Sequence, residues 1–237
     1  MEHGVDSLVA IGGDGTFHGA LALEKETGIP VMGVPGTIDN DIYGTEDTIG
    51  FDTAINTALE SIDRIRDTAD SHERLFLIEV MGRHCGMIAA YAGIAGGAET
   101  IIVPEEHQGE TAILKQIENR VRRGMKRGKR GSIVVVAEGH SGGGIAERLA
   151  QRLKPRGFNP RVAVLGHIQR GGTPTAKDRT LASAMGAFAV DCLLKGKSCG
   201  MTALQAKGMT YVSFQKVLSK KKQLPTGILT LADTLAT

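Results

Sequence analysis

Leu8-Val9-Ala10-Ile11-Gly12-Gly13-Asp14-Gly15-Thr16 reads as a short apolar strand emptying into a loop of glycines, a carboxylate and a hydroxyl. The design returns at Val31-Met32-Gly33-Val34-Pro35, followed by Gly36-Thr37-Ile38-Asp39-Asn40-Asp41. Glycine lets backbone N–H groups approach an anion closely, a helix starting behind the loop adds the positive end of its dipole, and a neighbouring Asp can hold a divalent cation. A Gly-Gly-Asp-Gly stretch after a strand serves equally well as a tight turn. The second loop asks for more. Thr37, Asp39 and Asp41 stand at alternate positions, which in an extended segment point to one side. They read as three polar groups facing one ligand, with a solvated acidic turn as the alternative. Two such loops in tandem point to phosphoryl transfer.

Outward from these loops, apolar β-branched runs alternate with amphipathic stretches, the pattern of βα units around a largely parallel sheet. Strands are predicted over 8–11, 31–34, 75–80, 101–103, 133–137 and 162–165, with helices between them. The clearest helix spans 48–67, where Ile55, Leu59, Ile62 and Ile65 recur on one face. Others span 84–95, 110–127, 144–153 and 178–194, and glycine-rich loops fall at 96–97, 141–144 and 171–172. No internal repeat, low-complexity segment or flexible linker interrupts this pattern.

Composition fits a cytosolic α/β enzyme. With 237 residues, 41% of them apolar, the chain can bury a core in one large or two modest domains. The 28 basic residues nearly balance 26 acidic ones, so the net charge of +2 points to neither nucleic acid nor a membrane surface. No apolar run approaches a membrane span in length. Cys85, Cys192 and Cys199 lack metal-ligand spacing and read as reduced thiols. The chain opens Met1-Glu2-His3-Gly4 and goes almost directly into a strand, with no basic or apolar leader that would mark a cleaved signal.

IGGDGT at 11–16, PGTIDND at 35–41, EVMGRHCG at 79–86, VAEG at 136–139 and LGHIQRGG at 165–172 occur in an order and spacing that resemble the bacterial type of ATP-dependent 6-phosphofructokinase. GGDGT alone is similar to the loop of NAD kinases and lipid kinases; TIDND, MGR and HIQRGG are far more specific. The resemblance covers essentially the whole chain. It implies an α/β fold of two lobes, each a largely parallel sheet flanked by helices. Residues 1–50 and 169–219 would form the nucleotide lobe, and 51–168 with 220–237 the sugar-phosphate lobe. It also implies that a strand, a first glycine-rich loop and further sheet precede Met1, roughly a quarter of the family's length. The first lobe is therefore expected to be incomplete, with Met1 an internal start.

The resemblance assigns roles residue by residue. Asp39 matches the catalytic base that takes the proton of the sugar 1-hydroxyl, Thr37 a donor to the transferring group, and Arg83 a stabiliser of its negative charge. Gly12, Gly13, Asp14, Gly15 and Thr16 would bind the nucleotide phosphates, with Asp14 on Mg²⁺ and Asp41 supporting it through water. The sugar phosphate would be held by Thr37, Ile38, Asp39, Met81, Gly82, Arg83, Glu138, His167, Ile168, Gln169 and Arg170. Arg74 and Arg161 would reach in from a neighbouring subunit, since the resemblance implies a homotetramer. Guanidinium forks suit phosphate well. Taken singly, these residues also have bland readings as surface arginines, a packing His and a loop-capping Glu.

The resemblance further places an effector site for ADP or phosphoenolpyruvate at Arg66, Gly97, Ala98, Glu99, Arg127, Lys129, Arg130 and Gly131. The basic run 122–130 equally suits a solvated helix C-terminus. In pyrophosphate-dependent relatives an Asp follows GGD and a Lys precedes TIDND. Gly15 and Gly36 stand at those places here, which favours ATP as co-substrate. The expected function is therefore glycolytic conversion of fructose 6-phosphate and ATP to fructose 1,6-bisphosphate and ADP. The alternatives are a catalytically silent truncated subunit and a pyrophosphate-dependent phosphofructokinase; a lipid or NAD kinase has no need of the arginine and histidine cradle.

Overall fold

A computed structural model describes residues 4–72, 74–139 and 143–236, so the glycine loop expected at 141–144 falls partly outside the described residues. The chain divides into two compact units, Met1–Asp52 with Thr173–Gln223, and Thr53–Gly172 with Leu224–Thr237. Among the described residues each unit holds a four-stranded sheet.

In the first unit, β1 (Leu8–Gly12) leads into α1 (Asp14–Thr27) and β2 (Val31–Pro35). The unit's other part supplies α6 (Ala176–Leu194), β7 (Gly200–Gln205), β8 (Gly208–Ser213) and α7 (Phe214–Leu218). The sheet order is β1-β2-β7-β8, parallel except for the antiparallel β7–β8 hairpin. β2 is buried on both faces, as a parallel strand between helical layers must be. On one face Phe17 of α1 and Phe214 of α7 pack against Val31, Met201 and Val212. On the other, Leu181, Met185 and Ala189 of α6 pack against Met32 and Val34. α1 stops at Gly28, whose φ of 69° supplies the left-handed cap and directs its N–H to the Glu24 carbonyl.

The second unit carries the rest of α2 (Phe51–His72), then β3 (Leu75–Val80), α3 (Met87–Ala95), β4 (Thr100–Ile102), α4 (Glu110–Lys126), β5 (Ser132–Ala137), α5 (Ile145–Leu153), β6 (Pro160–Val164) and α8 (Ile228–Leu235). Its sheet is parallel throughout, in the order β4-β5-β3-β6. Leu114, Ile117 and Val121 recur along α4 at helical spacing and meet Leu77, Val134, Val136 and Leu149 in one core. Among the described side chains of α2 the buried residues are Phe51, Ala54, Ala58 and Ile62, whereas Ile55, Leu59 and Ile65 are only half-buried. The buried face is thus turned from the expected stripe toward its alanines, which permit closer packing.

β1 ends its sheet, and Val9 and Ile11 on it are 39% and 67% exposed. An apolar parallel edge is a template for pairing with another chain. Ile11→Lys is expected to lower the mass of this chain in light scattering at high concentration. An unchanged mass would show that the edge does not drive association.

Candidate functional site

In the first unit both glycine loops leave the C-terminal ends of neighbouring parallel strands, where α/β folds gather ligands. The Gly36 N–H donates to the Gly12 carbonyl at 3.0 Å, tying the two loops together. Gly13 caps α1, so the free N–H groups of a 14-residue helix open onto the Asp14–Thr16 turn. Gly12 must be glycine, because a Cβ there would stand 2.1 Å from the Thr16 hydroxyl. A Cβ on Gly13 would come within 3.8 Å of the Thr37 side chain, so Thr37 faces this turn.

The loop with Asp39 is held on several sides. Its N–H donates to Thr37 Oγ1 at 3.3 Å, and Thr48 Oγ1 donates to the Thr37 carbonyl at 2.6 Å. Asn40, at φ 50°, donates through Nδ2 to the Glu46 carbonyl and accepts at Oδ1 from Lys222 Nζ at 2.9 Å. Asp39 is 8% exposed, Asp41 and Ile38 are half-buried, and Asp14 is half-buried at the helix start. Burial, and then the nearby Asp41 carboxylate, push the Asp14 carboxyl above the usual range, with His18 and Lys221 acting in the opposite direction.

A carboxyl raised in the folded state penalises folding once ionised. The penalty is absent below the unfolded value of 3.8 and grows as pH rises through the folded one. Asp14→Asn is therefore expected to raise the melting temperature of the metal-free chain at neutral pH and to leave it unchanged at pH 3. Equal melting curves at both would remove the carboxylate pair from this account.

In the second unit the loops after β3, β5 and β6 meet. Met81 and Gly82 are buried and Arg83 is exposed. Gly82 has φ 145°, and a Cβ on it would lie 2.3 Å from the Cys85 carbonyl oxygen, so the turn requires glycine. Arg83 itself takes φ 49°, a left-handed conformation costing a non-glycine residue roughly 1 kcal/mol or more. Its N–H donates to Glu138 Oε1 at 3.0 Å. The 3₁₀ turn Gly166–Arg170 exposes His167, Ile168 and Arg170 and buries Gln169, whose Oε1 accepts the Met81 N–H at 2.9 Å.

The structure gathers Met81, Gly82, Arg83, Glu138 and the 166–170 turn at one end of this sheet and leaves Arg74 and Arg161 at the other. Arg74 precedes β3, and Arg161 pairs with Phe76 near its start. The strand expected from residue 162 begins at Pro160, which puts Arg161 inside β6 rather than beside it. Arg66, Glu99, Lys129, Arg130 and Gly131 line a pocket of about 360 Å³. Arg66 donates to the carbonyls of Gly96 and Gly97, covering the C-terminal end of α3. Glu99, 3% exposed, is engaged by the Ile133 N–H at 2.6 Å and Lys129 Nζ at 3.2 Å. Ala98 is buried beside it, and Arg127 caps α4 and is not among the pocket's lining residues.

Sequence reasoning missed the residues that hold these loops. Besides Lys222, they include Glu79, whose carboxylate accepts from the Gly144 and Ala146 N–H groups, and Glu105, which accepts from the Gly86 N–H at 2.8 Å. The lysine run 220–222 was the one local signal.

The Phosphofructokinase family profile matches residues 1–193. An ATP-dependent 6-phosphofructokinase 1 of Thermus thermophilus is 55% identical over 233 residues, covering 98% of this chain and 71% of the relative. An ATP-dependent 6-phosphofructokinase of Brevibacillus brevis is 53% identical over 235 residues, 99% of this chain and 71% of the relative. Among solved structures, phosphofructokinase from Saccharomyces cerevisiae superposes with a TM-score of 0.84 at 32% identity, over 99% of this chain and 35% of that one. A pyrophosphate-dependent phosphofructokinase from Marinobacter aquaeolei gives 0.77 at 26% identity, over 99% and 68%. With the paired glycine loops of the first unit and the three converging loops of the second, these likenesses show that the chain belongs to the phosphofructokinase family.

Proposed function

We propose that this chain transfers the γ-phosphoryl group of ATP to the 1-hydroxyl of fructose 6-phosphate, giving fructose 1,6-bisphosphate and ADP. The observation that carries the reading is 55% identity, across 98% of the chain, to a relative named for that activity. The loop geometry supports it. Phosphoryl transfer needs positioning, charge neutralisation and a proton acceptor more than covalent help. In the first unit, read as the nucleotide lobe, Gly12, Gly13, Gly15 and Thr16 present backbone and hydroxyl donors to phosphate at the start of α1. Asp39 accepts the proton of the attacking hydroxyl, and Thr37 donates to the transferring group.

In the second unit, read as the sugar-phosphate lobe, Arg83 stabilises the phosphoryl charge, Glu138 accepts from sugar hydroxyls, and His167 and Arg170 hold the 6-phosphate. Arg74 and Arg161, at the far end of that sheet, would serve the site of a second copy in a homotetramer. The Arg66, Lys129, Arg130 and Gly131 pocket would take an anionic effector such as ADP or phosphoenolpyruvate. The setting would be the cytosol.

Asp14 and Asp41 fit a hard divalent cation: burial, and then the Asp41 charge, hold the Asp14 carboxyl above its usual range, and Mg²⁺ takes one or two carboxylates and completes its shell with water and phosphate oxygens. When bound, Mg²⁺ would neutralise the negative charge that develops on the phosphates during transfer. It is expected to raise the melting temperature of the wild-type chain and not that of Asp14→Asn.

ATP is favoured as donor by Gly15, where a Cβ meets nothing within 4 Å and an Asp would project charge into the phosphate space. Gly36 carries less of that argument: a Cβ there would stand 2.9 Å from Ile11, so packing alone asks for glycine. The test is a coupled assay for fructose 1,6-bisphosphate, with fructose 6-phosphate and either Mg-ATP or pyrophosphate. ATP-dependent turnover supports the reading. Turnover with pyrophosphate alone would reverse the donor, and silence of the folded chain with both would overturn activity for this polypeptide.

A further inference from the structure

We infer that Gln169 is a positioning residue for the loop that carries Arg83, acting through the Met81 amide and not by touching the sugar phosphate. What Arg83 does chemically rests on the proposed function; what Gln169 does rests on geometry.

β3 is an inner strand of its sheet, and its ladders end just before Met81. Toward β6 the register closes at Glu79 and Val164, followed by the Leu165 N–H to the Glu79 carbonyl. Toward β5 it closes at Val80 and Ala137, followed by the Glu138 N–H to the Val80 carbonyl. The Met81 N–H lies beyond both ladders, in a residue only 6% exposed, and a buried amide without an acceptor costs about 1–3 kcal/mol. Gln169 Oε1 supplies the acceptor at 2.9 Å.

Gln169 is itself 1% exposed, which removes its side chain from contact with a ligand. Its Nε2 is buried and has no hydrogen-bond partner among the described residues. An apolar side chain of the same length would escape that penalty, so what the amide contributes here is its carbonyl oxygen. The arrangement has a directional consequence. The Gly166–Arg170 turn exposes His167 and Arg170 and in the same turn fixes Gln169 on Met81, while Glu138 holds the Arg83 N–H from the other side. The Met81–Arg83 segment is clamped between the loops of two neighbouring strands. The left-handed Arg83 then depends on a residue two positions before it being unable to drift.

The test compares Gln169→Met, which keeps length and loses the acceptor, with Gln169→Glu, which keeps the acceptor. In the intact chain, hydrogen exchange at the Met81 amide is expected to accelerate about tenfold in Gln169→Met. Leu77 and Ile78 in β3 should be unchanged, and Gln169→Glu should retain most of the Met81 protection. Unchanged protection in Gln169→Met overturns the proposal, whether or not the chain is an enzyme; uniform acceleration across β3 overturns it in favour of a general packing role. If Gln169→Glu does not fold, the methionine variant decides alone. Once turnover has been demonstrated, Gln169→Met is expected to lower kcat about tenfold with the KM for fructose 6-phosphate within twofold. A raised KM at constant kcat would make Gln169 a direct contact and end the proposal.

Discussion

Asp39→Asn is expected to reduce phosphoryl transfer by a factor of about 10²–10⁴ and to leave fructose 6-phosphate binding within twofold, because general-base catalysis typically contributes an effect of that size. The amide is isosteric with the carboxylate and cannot accept the hydroxyl proton. The loop should hold its shape, since several of its restraints come from other groups. Thr48 holds the Thr37 carbonyl, Lys222 and the Glu46 carbonyl hold Asn40, and the Asp39 contact to Thr37 is made by its backbone N–H. At 8% exposure the side chain has little room to reorient, so the loss should appear in kcat. Rate by coupled assay and affinity by calorimetry separate the outcomes. Loss of less than tenfold would remove Asp39 as the base. Loss of binding together with rate would mean that the amide disturbs the loop.

The parallel strands were legible because strands covered on both faces are continuous apolar runs, and β2, β3 and β5 are of that kind. The β7–β8 hairpin was not foreseen. Its strands contain polar Thr202, Gln205 and Thr210, and its turn is Ala206-Lys207, which lacks the Asn-Gly or Asp-Gly chemistry that announces a hairpin. α1 escaped individual notice because Gly15 and Gly19 weaken its helical signal and it fully buries only Phe17 and Ala20. At the candidate site, motifs of glycine, hydroxyl and carboxylate are local and could be read directly. Their supports are not local: Lys222 meets Asn40 across 182 residues, and Glu79 meets Gly144 across 65. No periodicity or spacing rule connects such pairs. Burial was the other hidden variable, since nothing in His-Ile-Gln-Arg says that its third residue turns inward while the other three face out.

Glu79→Ala is expected to cost about 2–5 kcal/mol, because it strips the acceptor from two backbone N–H groups at once. Glu79 lies on β3, 2% exposed, and its carboxylate receives the Gly144 and Ala146 N–H groups, each at 2.9 Å. These donors open α5, so the negative charge also faces the positive end of that helix dipole. For a chain of this size the loss corresponds to a fall in melting temperature on the order of 10 °C. The carboxylate is specifically required: Glu79→Gln would turn an amide N–H₂ toward one of the two donors and should recover less than half of the loss. Full recovery by Gln would show that one acceptor suffices and that the helix start finds water for the other. The same substitution frees the α5 end of the loop that begins at Glu138, which holds the Arg83 N–H. A drop in stability should therefore be accompanied by faster hydrogen exchange at Arg83. Stability lost without that change would confine Glu79 to anchoring α5 and detach it from the Arg83 loop.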